Sequence, residues 1–250
     1  MSDFNRGYAR TVSADRADMS VDAGLRSFML GVYNKVALGL VLSAGMAFLT
    51  SSVAPVRDLM FRVSADGRYA GLTGLGMVVA FAPLAILLFS SFAMRNQTAR
   101  TASAVYWSVV SLIGASLGVL VLAYTGASIA TTFLITATAF GSLSLVGYTT
   151  KKDLTGFGSF LIIGLVGIII ASVVNMFLHM AAIAFIVNIL GVLIFAGLTA
   201  YDTQRLKMTY YQLGGDQAAM GVATSYGALS LYLDFINLFQ FLLSMLGNRR

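Results

Sequence analysis

Cysteine and glutamate are both missing from the 250 residues, and histidine and tryptophan occur once each, as His179 and Trp107. Without cysteine there are no disulfides, no thiolate zinc sites and no cysteine-held iron–sulfur clusters. One histidine cannot build a histidine cluster, and His179 falls in a tight turn between two apolar runs, where it reads as an interfacial polar residue. The motifs G-x-x-x-x-G-K-[ST], H-E-x-x-H and G-x-S-x-G are absent as well, so phosphate-loop, zinc-protease and serine-hydrolase chemistry have no foothold. The chain is not read as an enzyme: no catalytic residue and no cofactor is assigned. Charge is scarce too, at 10% of residues, where an average globular chain carries about a quarter.

Apolar sequence takes the place of charge. The chain is 58% hydrophobic with a mean hydropathy of +0.84. Seven segments are long enough to cross roughly 30 Å of hydrocarbon at about 1.5 Å per helical residue. They lie near residues 31 to 53, 72 to 94, 102 to 124, 127 to 148, 156 to 178, 180 to 200 and 222 to 246. Lipid offers the backbone no hydrogen-bond partner, and the runs lack the polar alternation of barrel strands, so helices are expected. Residues 156 to 200 would make one helix about twice the length of a crossing, and a turn at Leu178, His179 and Met180 divides them; Tyr124, Thr125 and Gly126 make another. The fold class is all-α integral membrane, one seven-helix domain over residues 28 to 250 behind an arm of residues 1 to 27.

Positive charge sets the orientation. With the N-terminus on one side, its arm and loops carry eleven cations: Arg6, Arg10, Arg16, Arg26, Lys35, Arg95, Arg100, Lys151, Lys152, Arg205 and Lys207. The opposite side carries five, Arg57, Arg62, Arg68, Arg249 and Arg250. The positive-inside rule puts the N-terminus in the cytoplasm and the C-terminus outside. The arm mixes arginine with Asp3, Asp15, Asp18 and Asp22 and has no apolar run, so it reads as a solvated cytoplasmic arm rather than a cleavable signal or a mitochondrial presequence. A bacterial plasma membrane is the expected location. The +6 charge and pI near 9.7 are accounted for by insertion topology, and no nucleic-acid partner is expected.

Many of the 25 glycines lie inside the spans, as in Gly114-Ala-Ser-Leu-Gly118, where small residues four apart let helices approach closely in lipid. Tyr106, Trp107 and Tyr148 suit an interfacial aromatic belt. The last segment is different. Ser230, Asp234, Asn237 and Phe241 follow at i, i+4, i+7 and i+11, placing polar atoms on one face of an otherwise greasy helix. An aspartate there belongs on a cavity or pathway, because a carboxylate near hydrocarbon is rarely kept without a proton, an ion or a cationic partner. Asp202 and Asp234 are the two carboxylates in or at the edge of the apolar segments, and Asp153 and Asp216 read as solvated loop acids.

Tyr201-Asp202-Thr-Gln and Leu229-Ser-Leu-Tyr-Leu-Asp234-Phe-Ile-Asn-Leu-Phe239, with Lys151-Lys-Asp-Leu154 between the fourth and fifth segments, resemble the Bax inhibitor-1 family, also called the transmembrane Bax inhibitor motif family. The resemblance covers most of the chain beyond residue 30. It implies six helices around a central seventh and a pH-sensitive calcium leak. In the bacterial branch it implies a proton-sensing aspartate pair, matched here by Asp202 and Asp234, and an arginine latch at the end of the second helix, matched by Arg95.

Spacing alone does not pair the aspartates. From residue 222, Asp234 lies 12 residues in, or about 18 Å, whereas Asp202 ends the sixth segment. If they meet, two carboxylates in a desolvated site share one proton, and raising the pH removes it and leaves like charges repelling. Calcium, which takes six to eight oxygens in typical sites, would find Asp202 and Asp234 as transient ligands with Ser230 and Asn237 along the way, too few for storage but suited to a permeant ion. Two other classes stay open: a non-transporting regulator that binds a membrane protease or another membrane protein, and an intramembrane aspartyl protease. The second half of the protease signature is absent around Gly214-Gly-Asp216.

Overall fold

The computed structural model describes residues 23–64, 69–92 and 97–250. In chain order the elements are α1 (Ala23–Ser52), α2 (Ala54–Met60), strands β1 (Phe61–Val63) and β2 (Tyr69–Leu72), α3 (Gly74–Phe92), α4 (Ala99–Ser116), α5 (Gly118–Ala123), α6 (Gly126–Thr149), α7 (Thr155–Leu178), α8 (Ala181–Leu213) and α9 (Gln217–Leu246). Among the described residues six helices are long and apolar enough to cross a membrane, with α4 and α5 forming one of them. The second predicted segment is the shorter α3, which contains Pro83.

Several boundaries move. Residues 23 to 27, read as the end of the arm, are the start of α1, and Leu25 there is fully buried. The third segment is broken at Leu117 between α4 and α5. The sixth segment runs on from residue 200 to Leu213, and the seventh begins at Gln217 instead of 222. The stretch from Pro55 to Tyr69 holds α2 and half of an antiparallel hairpin, whose residues Met60 and Phe61 are buried.

Both predicted tight turns are present. Thr125 caps α6 by accepting a hydrogen bond from Ser128 N. His179 ends α7 in the left-handed region at φ +53°, while Asn175 Oδ1 accepts from Met180 N at 2.9 Å. A left-handed backbone costs a branched side chain about 1–2 kcal/mol and glycine almost nothing. His179→Val should therefore lower stability by about that amount and His179→Gly should not, as read by thermal unfolding in detergent.

The last helix, α9, packs on α1, α4, α6 and α8. Half of its most apolar stretch is buried, against 11% for α7, whose Ile163 and Phe177 face outward. Polar bonds fix the α1–α4 side: Lys35 Nζ donates to Ser103 Oγ and Ser225 Oγ, and Ser43 Oγ pairs with Tyr232 OH at 2.7 Å. Close packing replaces the hydrophobic drive in lipid, and the glycines supply it. A Cβ on Gly114 would stand 2.6 Å from Ser43 Cα, and one on Gly118 would meet Thr50 and Phe61.

Candidate functional site

Asp202 and Asp234 meet between α8 and α9. Asp202 stands 11 residues before the end of α8 and Asp234 17 residues into α9, so their Cα atoms lie at different distances from the joining turn at residues 214 to 216. Side chains on a helix lean toward its N-terminus. On α8 that direction leads away from the turn and on α9 toward it, so the two carboxyls converge. The longer α8 resolves the depth mismatch left by the sequence boundaries. The turn itself is made by Gly214 and Gly215, both at positive φ, and Asp216 caps α9 by accepting from Ala218 N and Ala219 N.

Both acids are almost fully covered, Asp202 at 6% exposure and Asp234 at 4%. Asp202 is partnered: its Oδ1 lies 3.2 Å from Arg205 Nη2, and its Oδ2 accepts from Ser230 Oγ. Arg205 Nη2 also donates to Ser230 Oγ at 3.2 Å. Asp234 Oδ2 is buried without a hydrogen-bond partner, although the Asp202 carboxyl stands within hydrogen-bonding reach of the Asp234 carboxyl. Two carboxylates bring only acceptors to that contact, so a proton on either one supplies the missing donor.

The pair opens onto a cavity of about 610 Å³ lined by Leu84 of α3, by α7 side chains from Ile162 to Val173, by Phe195 and Leu198 of α8, and by Leu233, Asn237 and Phe241 of α9. The walls are mostly apolar, with Ser172 and Asn237 as further polar side chains beside the pair. Three of the four residues on the polar face of α9, Asp234, Asn237 and Phe241, line this cavity, while Ser230 bonds to Asp202. The Asn237 amide donates to Leu233 O at 2.8 Å. Arg95 lies outside the described residues. Among those described, no three acidic, histidine or cysteine side chains gather at one point.

Sequence reasoning missed the residues around Asp202. Arg205 had a legible signal, an opposite charge at i+3. Gln204 clamps the loop of the Lys151-Lys-Asp-Leu154 motif by donating to Lys152 O at 2.7 Å and accepting from Leu154 N at 2.8 Å, and Lys207 Nζ donates to Tyr148 O. These contacts tie the α6–α7 loop to the helix that carries the pair. In that loop Asp153 Oδ1 accepts from Thr155 N at 2.8 Å, and hydrogen bonds from the Thr155 hydroxyl and backbone N–H hold its carboxyl below the usual carboxylate range. A carboxyl lowered by folding stabilises the fold above its unfolded titration range, and this contribution is lost as the pH falls through the folded one. Acid unfolding of Asp153→Ala should accordingly start from slightly lower stability than the parent and converge with it at low pH.

A family model described as "Inhibitor of apoptosis-promoting Bax1" matches residues 25–250. The chain is 68% identical to a protein of Caulobacter vibrioides over the full length of both. It is 43% identical to a protein of Rickettsia prowazekii over 97% of this chain and 98% of the other. To the inner membrane protein YbhL of Escherichia coli strain K12 it is 41% identical, over 91% of this chain and 94% of that one. The motifs around Asp202 and Asp234 fall within the matched span, and the chain belongs to the Bax inhibitor-1 family of integral membrane proteins.

Proposed function

We infer that the protein is a pH-gated leak for cations, calcium among them, in a bacterial inner membrane. In this reading α3 completes seven crossings around α9, with the N-terminus in the cytoplasm and the C-terminus outside. The observation that carries it is the buried Asp234 oxygen without a donor, set against the Asp202 carboxyl at the head of a cavity. Intramembrane acids are kept where they serve a pathway or a proton. One proton shared by the pair joins α8 to α9 and leaves one negative charge, which Arg205 faces. Raising the pH removes the proton, and two like charges in a dry site repel. The contact between the helices is a bistable element biased by protonation. The family resemblance assigns the latch to Arg95, which in this reading exchanges onto the freed carboxylate. Calcium crosses as cargo, meeting the carboxylates and the Ser230 and Asn237 oxygens briefly.

Calcium flux into proteoliposomes over a pH series, comparing the parent with Asp202→Asn, Asp234→Asn and Arg95→Ala, tests the reading. Flux that rises with pH in the parent and loses that dependence in the aspartate variants supports it. Flux indifferent to all three substitutions points to a non-transporting regulator with a membrane protein partner, and peptide cleavage lost with either aspartate points to a protease.

A further inference from the structure

Arg205 is the cation already at the carboxyl pair, and its placement differs from that of an ordinary surface ion pair. Its side chain is 49% exposed while that of Asp202 is 8% exposed, so the guanidinium reaches from the α8–α9 turn side inward to a buried charge. The same nitrogen, Nη2, contacts Asp202 Oδ1 and Ser230 Oγ, each at 3.2 Å. Those are two of the few oxygens at the site that a divalent cation could use. Asp234 Oδ2 adds a third that is buried and unpartnered. The guanidinium also lies 5.6 Å from the Tyr201 ring, one turn back on α8, a contact it makes together with those to Asp202 and Ser230. A Cβ on Gly158 of α7 would collide with that ring, so the missing side chain there seats Tyr201.

We propose that Arg205 is a tethered cation that occupies the divalent-cation position of the Asp202–Asp234–Ser230 site, so that calcium binds only by displacing it. The proposal rests on the calcium-leak reading and gives it a specificity-determining residue. A charge-assisted bond between a half-exposed guanidinium and a buried carboxylate sets the occupancy. Among the described residues no other cationic side chain bonds to the pair. Removing the guanidinium therefore frees two oxygens and unmasks one negative charge, and calcium should gain what Arg205 gives up.

The test is the calcium dependence of thermal unfolding for the purified full-length protein in detergent, since a ligand that binds the folded state raises its melting temperature. Arg205→Ala should reach half of its calcium-induced rise at about tenfold lower calcium than the parent, the scale of one charge-assisted bond. Arg205→Lys, which keeps the charge, should stay near the parent, and Asp202→Asn in the Arg205→Ala background should abolish the gain. Arg205→Gln replaces the alanine variant if that one does not fold. Midpoints equal to the parent's in the folded Ala or Gln variants overturn the proposal, as does a gain that survives Asp202→Asn. The parent's own flux over pH is measured alongside. If that flux ignores pH the leak reading fails, whereas a pH-dependent flux with unmoved calcium midpoints removes only the role of Arg205.

Discussion

Asp234→Asn should flatten the pH profile of calcium flux in proteoliposomes at its low-pH level, leaving it at least about tenfold below the parent at the alkaline end. An asparagine amide carries the donor that the buried Oδ2 lacks, and it carries it at every pH. The variant therefore imitates the shared-proton state permanently, and Asp202 keeps a single charge facing Arg205. Repulsion between the two side chains cannot develop, so α8 and α9 stay joined. A tenfold effect needs a bias of only about 1.4 kcal/mol, well within what two like charges in a dry site exchange for one. Asp202→Asn should flatten the profile too, but it also strips Arg205 of its partner, so its flux level reports both changes. A rise with pH in Asp234→Asn equal to the parent's would remove Asp234 from the gate.

The second large effect is on stability. Gly147 of α6 lies where that helix crosses α8, and a Cβ there would stand 2.8 Å from the carbonyl carbon of Ala200 and closer still to its oxygen. Backbone cannot rotate away as a side chain can. Gly147→Ala should push α6 from α8 and cost about 1–3 kcal/mol, read as a lower unfolding midpoint in detergent. Gly141, on the same helix, has nothing within 4 Å of the place a methyl group would take. Gly141→Ala should be neutral or gain up to about 1 kcal/mol from helix propensity, so the two substitutions separate crowding from the general effect of removing a glycine. Ala200 is two residues before Asp202, so the same displacement should also disturb the pH response of the flux.

Membrane class, both tight turns and the polar face of α9 are legible in the sequence because they depend on contrast between apolar runs and what interrupts them. The full length of α8 is not. Its last third carries Thr203, Gln204 and Lys207, polar residues that read as loop, yet all three are buried, bonded to α1, to the α6–α7 loop or to Tyr148. Hydropathy registers partition into lipid and is blind to polar groups satisfied inside protein. The same blindness leaves Asp202 at a helix end and the aspartate pair resting on resemblance. Arg205 is legible as the i+3 partner of Asp202, but a count of charges for topology passes over that spacing. The α2 and hairpin segment carries too few apolar residues to register as a span, yet its Met60 and Phe61 pack under α4 and α5.

The proton proposed to be shared by Asp202 and Asp234 can be sought directly by infrared difference spectroscopy of the membrane-reconstituted protein carrying isotope-labelled aspartate. The account predicts one carboxylic-acid carbonyl band that disappears as the pH is raised, over the same range in which calcium flux rises, and that is missing from Asp234→Asn. No such band at any pH where the flux is low, or one that persists unchanged in Asp234→Asn, would contradict it.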